Sequence, residues 1–175
     1  MLEKYGNMMK CKTDAFCITT NGFVTRNGEC VMGRGIALTV KEKNPKVSRM
    51  LGNLIKKNGN VVNLIANNTG KTALIAFPVK PVTVINNGNN LVMHAASKYK
   101  LGDTVPGFLS KADMKIVEKS CIELVELANG HKEWKTIALP RPGCGAGELY
   151  YSKVKPVLEK YLDDRFYIYT FKKDL

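Results

Sequence analysis

The sequence predicts an α/β sandwich built on a largely buried, mixed sheet. Three observations lead there. Short apolar runs of strand length alternate with helix-length segments of 3.6-residue periodicity along the chain. Hydrophobic residues are 45% and charged residues 24% of 175 residues, which suits one domain with a real core. Two glycine-rich stretches, Gly33-Arg34-Gly35 and Gly143 to Gly147, each run into a helix signal. In open α/β sheets such loops belong at the carboxyl ends of strands, where ligands bind. No repeat or low-complexity tract divides the chain, so residues 1–175 are expected to form a single domain.

The elements follow in order. Met8 to Cys11 and Ala15 to Thr19 have the length and apolar content of short strands. Thr20 to Cys30 is a polar loop with Asn21-Gly22 and Asn27-Gly28 turn signals. Ile36 to Lys43 reads as a short helix that stops before Pro45. Val47 to Lys57 is a second helix: Val47, Met50, Leu51, Leu54 and Ile55 share a face, and Gly59 follows as a stop. Val61 to Ala66 and Thr72 to Phe77 are strands joined across Asn67 to Gly70. Asn86 to Asn90 is a turn, Leu91 to Met93 a short edge strand, and His94 to Gly107 an irregular segment. Ser110 then opens a long helix, with Asp113 completing a capping-box pattern. Met114, Val117, Cys121, Leu124, Val125 and Ala128 make its apolar face. Thr136 to Leu139 is a buried strand, Ser152 to Leu162 a helix and Phe166 to Phe171 a last strand.

Composition excludes several classes. Nothing is long and apolar enough to cross a bilayer, and Met1 to Tyr5 lacks the apolar core of a signal peptide. Five cysteines without a C-x-x-C pair, and only two histidines, argue against a disulfide framework or a zinc site. A cytoplasmic monomer without cofactor or membrane contact is the expectation. The net charge of +12 attracts polyanions, nucleic acid and nucleotides among them. The lysines are scattered, however, and no basic run interleaved with aromatics marks a nucleic-acid groove.

The glycine stretches are the chemical signal. Thr136-Ile137-Ala138-Leu139 runs into Gly143, Gly145 and Gly147, and a helix signal follows. Glycines at alternate positions let backbone N–H groups turn inward, and a helix start adds its dipole; together they make a place for phosphate. The upstream Val31 to Ala37 stretch has the same character, so two loops suggest a diphosphate held between them. Neither is a G-x-x-x-x-G-K-[ST] loop, the dinucleotide fingerprint is absent near the N-terminus, and no acidic pair accompanies the loops to hold magnesium.

The chain resembles the macrodomains, the ADP-ribose-binding α/β/α modules. Gly6-Asn7-Met8-Met9 is similar to the family's opening G-[DN]-[IL]-x element, and Asp14 to Asn21 to its D-A-[IL]-V-N-x-x-N strand and loop. Val31-Met32-Gly33-Arg34-Gly35-Ile36-Ala37-Leu38 resembles the V-M-G-K-G-I-A-L loop of one branch. Phe77-Pro78-Val79-Lys80 is similar to that branch's F-P-T-K segment, and Leu139 to Gly145 to its P-R-x-G-C-G loop. That branch contains the DNA ADP-ribosyl glycohydrolase antitoxins and the terminal ADP-ribose glycohydrolases. The matches lie in order over about residues 6 to 160. They imply a three-layer α/β/α sandwich with a mixed, mostly parallel central sheet.

The resemblance also implies a site. Met32, Gly33, Arg34, Gly35, Ile36 and Ala37 would hold the α-phosphate side of ADP-ribose. Pro142, Gly143, Cys144, Gly145, Ala146, Gly147, Glu148 and Leu149 would hold the diphosphate and the distal ribose. Asn7, Met8 and Met9 would lie near the adenine, where Tyr169 or Phe171 could stack, and Asn21 would approach the distal ribose as a catalytic candidate. Lys80 takes the place of the lysine implicated in attack at the anomeric carbon. A lysine beside a partly desolvated glycine-rich site can lose its proton and act as a nucleophile.

One departure stands out. Terminal ADP-ribose glycohydrolases carry an aspartate two residues after G-C-G; here that position is Gly147, as in the DNA-directed antitoxins, and Glu148 comes one later. Glu148 is read as an outward-pointing surface residue. His94 is a candidate general base or phosphate ligand, although a lone histidine after a strand is more often structural. His131 reads as a surface turn and Cys144 as a small packed residue. Gly22 to Cys30 and Tyr99 to Phe108 have no match in the family pattern and could flank the distal ribose. Three functions follow: a hydrolase removing ADP-ribosyl from a nucleobase or protein, or dephosphorylating ADP-ribose 1″-phosphate; a non-catalytic ADP-ribose reader; or a charge-driven nucleic-acid-binding protein with a degenerate pocket.

Overall fold

A computed structural model describes residues 1–67 and 70–171. Six strands form the main sheet: β1 (Leu2–Tyr5), β2 (Ala15–Thr20), β3 (Asn63–Ala66), β4 (Ala73–Pro78), β7 (Ile137–Pro140) and β8 (Phe166–Thr170). Their spatial order is β1-β8-β7-β2-β4-β3. All neighbours run parallel except β3, which pairs antiparallel with β4. The expected mixed, mostly parallel sheet is therefore present. A separate hairpin pairs β5 (Thr83–Ile85) with β6 (Thr104–Pro106).

Alternation along the central strands creates three layers. Ala15 and Cys17 of β2, with Ala73, Ile75 and Phe77 of β4, face helices α4 (Met114–Gly130) and α5 (Tyr151–Tyr161). There they meet Val117, Cys121, Leu124, Val154 and Leu158, all fully buried. Ile18 and Ala76, one position out of phase, face the other way onto α1 (Gly35–Lys43) and α2 (Val47–Asn58), against Ala37, Val40, Leu51 and Ile55. A period of two along a strand buried on both faces gives two cores. At roughly 1.5–3 kcal/mol for each large apolar side chain fully buried, these two cores carry most of the driving force.

Several segments differ from the sequence expectation. Met8 to Cys11 is not a strand: Asn7 Oδ1 accepts the Met9 N–H at 2.9 Å, and Met8–Lys10 closes into a 3-10 turn. The first strand lies earlier, at Leu2–Tyr5, on the sheet edge. Leu91 to Met93 is not an edge strand; Leu91 makes one isolated bridge to Ser110, and a short helix α3 (Met93–Ala96) begins at once. Ser110 does not cap α4. Its hydroxyl has one hydrogen to share between the carbonyl oxygens of Gly107 at 2.8 Å and Lys111 at 2.9 Å, and Asp113 is the cap, accepting the Lys115 N–H at 2.7 Å. The irregular segment from His94 to Gly107 holds most of α3 and β6. The turn expected at Asn67 to Gly70 includes residues 68 and 69, outside the described residues. No helix among the described residues is long and apolar enough to cross a membrane.

Candidate functional site

A cavity of about 380 Å³ opens at the carboxyl ends of β2, β4 and β7. Thr19, Thr20 and Asn21 reach it from β2, Val79 and Lys80 from β4, and Pro140 and Arg141 from β7. The two glycine loops flank it, the first through Gly33 to Ala37 and the second through Gly143, Gly145, Ala146 and Gly147. His94, Phe108 and Leu109 close a further side. Sequence separation is thus collapsed by the parallel sheet, whose strand ends all deliver their loops to one rim.

The first loop presents a helix terminus. Gly35, at φ +58°, sets the turn into α1, and Arg34 precedes it in extended conformation. No side chain caps α1. Its leading amides, on Gly35, Ile36 and Ala37, stand at the cavity wall, where an anion would complete them. Met32 lies behind this loop in the core and does not line the cavity.

The second loop is wound tightly. Leu149 N–H donates to the Gly143 carbonyl at 2.9 Å, Glu148 N–H to Gly145 at 3.0 Å, and Ala112 N–H to Gly147 at 2.8 Å. A Cβ on Gly147 would stand 2.5 Å from the Gly143 carbonyl oxygen and 2.7 Å from Ala112 Cβ. The loop as wound has no room there for any side chain. At Gly33 and Gly145 an added Cβ would meet nothing within 4 Å. Those glycines keep cavity space open. Pro142 is buried beneath the loop, while Cys144 and Leu149 pack against the core. Burial pushes the Cys144 thiol up to about 11, as befits a packed residue.

Lys80 is the charged side chain at the cavity's base. It is only 8% exposed. Its Nζ donates to the carbonyl oxygens of Ala146 at 2.9 Å and Phe108 at 3.1 Å. Its own carbonyl accepts Asn60 Nδ2–H at 2.9 Å, and Val79 N–H donates to Thr20 at 2.9 Å. The lysine is therefore held through its backbone and its tip. Burial lowers its pKa to about 8, with Arg34 adding to the effect and Glu148 opposing it. A neutral amine that donates both hydrogens to those two carbonyls keeps its lone pair uncommitted.

Asn21 also lines the cavity, but much of its amide is engaged. Nδ2 donates to Val31 O at 2.8 Å, and Oδ1 accepts Phe23 N–H at 2.9 Å. Its first effect is to fix the loop that carries Gly33. Arg141, part of the second glycine-loop motif, also lines the cavity. Its guanidinium lies 3.9 Å from the centre of the Tyr151 ring and 4.0 Å from Glu3 Oε1. Glu3 in turn accepts Tyr151 Oη–H and Lys155 Nζ–H, both at 2.8 Å. Phe108, at the end of the segment expected to flank the distal ribose, lines the cavity. It meets Phe23 edge-to-face at 5.3 Å, so the two unmatched segments touch beside the cavity.

Glu148 is not an outward surface residue. Its backbone is left-handed (φ +57°), and its Oε1 accepts the Met93 N–H at 2.8 Å. His94 lies at the rim; partial desolvation and the Arg34, Lys98 and Lys80 cations hold its pKa below the ordinary histidine value. Asn7, Met8 and Met9 do not line the cavity: Asn7 is spent on capping, Met8 is buried and Met9 packs on the α1–α2 core. Tyr169 is half-buried and Phe171 is 75% exposed; neither lines it.

No family model and no curated protein matches the chain. Solved structures do. The macrodomain of Mycobacterium tuberculosis DarG is 18% identical with a TM-score of 0.68, over 98% of this chain and 99% of that one. The macrodomain of Thermus aquaticus DarG gives the same values. Thermosipho africanus DarTG, solved in complex with ADP-ribose, is 21% identical with a TM-score of 0.67, over 99% of this chain and 43% of that one. The likeness extends over nearly the whole length of this chain, including the strands and loops that build the cavity. This chain has the macrodomain fold.

Proposed function

We propose that the protein binds ADP-ribose in this cavity and hydrolyses an ADP-ribose derivative at the distal ribose, with Lys80 as the nucleophile. The observation that carries the reading is the Lys80 amine, buried between the two glycine loops and lowered to about 8. The uncapped start of α1 supports a phosphate alongside it, and a solved protein of the same fold holds ADP-ribose. In the reaction, the Lys80 lone pair attacks the anomeric carbon and the bond to the leaving group breaks with its electron pair. The leaving group takes up a proton, and water then displaces the amine, so the net change is addition of water across the broken bond. In this reading Asn21, which lines the cavity, donates its second Nδ2 hydrogen to a ribose hydroxyl. The protein acts as one macrodomain over residues 1–175.

Calorimetry with ADP-ribose and turnover of three substrates test this: ADP-ribosylated DNA, ADP-ribosylated protein and ADP-ribose 1″-phosphate. Binding with turnover that Lys80→Ala abolishes is expected. Gly147 favours a second reading, a non-catalytic ADP-ribose reader, because the loop lacks its carboxylate; that reading gives binding without turnover. Absence of ADP-ribose binding refutes both.

A further inference from the structure

We propose that Glu148 is a positioning residue whose carboxylate clips helix α3 to the second glycine loop, and that His94, carried by α3, meets the group attached to the distal ribose. The inference rests on the ADP-ribose reading of the cavity. Among the described residues, Glu148 is the one non-glycine at positive φ. Such a backbone is strained for a residue with a side chain and persists where its surroundings hold it. Here they do. Gly147 packs against Gly143 and Ala112 and fixes the preceding peptide, and Glu148 N–H donates to Gly145 at 3.0 Å.

The strained turn aims the side chain across the rim. Glu148 Oε1 takes the N–H of Met93, 55 positions away in sequence. Met93 is the first residue of α3, and no side chain of the preceding residue caps that helix. The bond is charge-assisted, so it is stronger than a neutral one. Val92 and Ala95 anchor α3 from below, being 1% and 0% exposed. The Met93 side chain, 83% exposed, adds no anchor on the outer side. The clip therefore sets how close α3 stands to the loop.

What α3 carries into that position is His94. It lines the inner cavity with Lys80 and also an outer space of about 490 Å³ bounded by Arg34, Ala146 and Glu148. A substituent on a carbon attacked by Lys80 leaves the inner cavity past this residue. His94 is thus placed to touch the leaving group rather than the ADP-ribose.

Two measurements test the proposal. Amide exchange at Met93, followed by NMR, should speed up about tenfold or more in Glu148→Ala. Glu148→Gln, which keeps an acceptor, should restore most of the protection. Binding is then measured in the Lys80→Ala background, so that nothing turns over, with ADP-ribose, ADP-ribose 1″-phosphate and an ADP-ribosylated oligonucleotide. Glu148→Ala and His94→Ala should each weaken the best-bound derivative at least fivefold more than they weaken ADP-ribose. Unchanged Met93 exchange overturns the clip. Equal losses for derivative and ADP-ribose overturn the role of His94. Failure of the starting protein to bind ADP-ribose removes the cavity reading and the His94 role with it, while Met93 exchange still decides the clip.

Discussion

Placing a carboxylate back at position 147 should weaken this protein rather than improve it. Gly147→Ala puts a Cβ 2.5 Å from the Gly143 carbonyl oxygen and 2.7 Å from Ala112 Cβ. Ordinary contacts are 3.4–4 Å, so the loop must move by roughly 1 Å. Overpacking of this kind costs about 1–3 kcal/mol. For a chain of this size that is a fall of about 2–10 °C in Tm. The displacement also spreads. Ala146, one residue earlier, accepts Lys80 Nζ–H, and Gly147 O accepts Ala112 N–H at the approach to α4. A misplacement of about 1 Å at a reacting group can cost about a hundredfold in rate. Gly147→Asp should be at least as damaging as Gly147→Ala, since it adds the same Cβ and a charge. Differential scanning fluorimetry and ADP-ribose calorimetry on both variants provide the check. Wild-type Tm and affinity in Gly147→Ala would refute the steric argument, and a gain of turnover in Gly147→Asp would show that the loop opens readily.

If Lys80 is the nucleophile proposed above, Lys80→Ala should lower turnover by at least about a hundredfold; single-turnover kinetics on the active substrate measure this. The same lysine should leave a mark on stability. Its pKa falls from 10.5 unfolded to about 8 folded. The buried ammonium thus penalises folding fully below pH 8, and the penalty disappears as pH rises to about 10.5. Lys80 alone should therefore raise unfolding free energy by about 3 kcal/mol across that window; in urea titrations at pH 7.5 and 10 the stability of the parent relative to Lys80→Met should rise by about 2 kcal/mol, the opposing effect of the buried thiols being common to both proteins. Glu3→Gln, which weakens the tie from β1 to Tyr151 and Lys155, should cost about 1–3 kcal/mol by urea denaturation. Asn21→Ala should cost a similar amount and loosen the first glycine loop, because the Val31 carbonyl and Phe23 amide lose their partners; faster amide exchange at Phe23 reports it.

The sheet and its rim were legible because their signals are local. Ala73 to Phe77 is a continuous apolar run, and Lys80 follows it at the distance a strand-end loop requires. Strands buried on both faces carry dense apolar sequence, so β2, β4 and β7 were found within a residue or so, and β8 was found from its aromatic and β-branched run, of which Phe166 and Ile168 are buried. The edge was not. Leu2–Tyr5 has charges at Glu3 and Lys4, and nothing in its pattern marks a strand until β8 is there to pair with it. The β5–β6 hairpin has three residues a side, and Val84 meets Val105 across a long intervening segment. Ser110-x-x-Asp113 matched a capping pattern one turn too early, because the Gly107 carbonyl competes for the serine hydroxyl. The role of Gly147 depends on where Gly143 O and Ala112 come to lie, which is a property of the folded loop alone.

The pairing of β1 with β8 has a consequence for how the molecule assembles. Leu2 faces Tyr167 and Tyr5 faces Thr170, and the Met1 amino group donates to Leu162 O at 2.8 Å. Of the two, β1 lies earlier in the chain and gains its partner in the sheet only once β8 is present. Closing so long a loop is entropically expensive and raises the barrier to folding. During synthesis, Leu2–Tyr5 stays unpaired while β2, β4 and β7, the strands that deliver the cavity residues, can already associate. The strands around the cavity can thus pair before β1 closes the edge of the sheet.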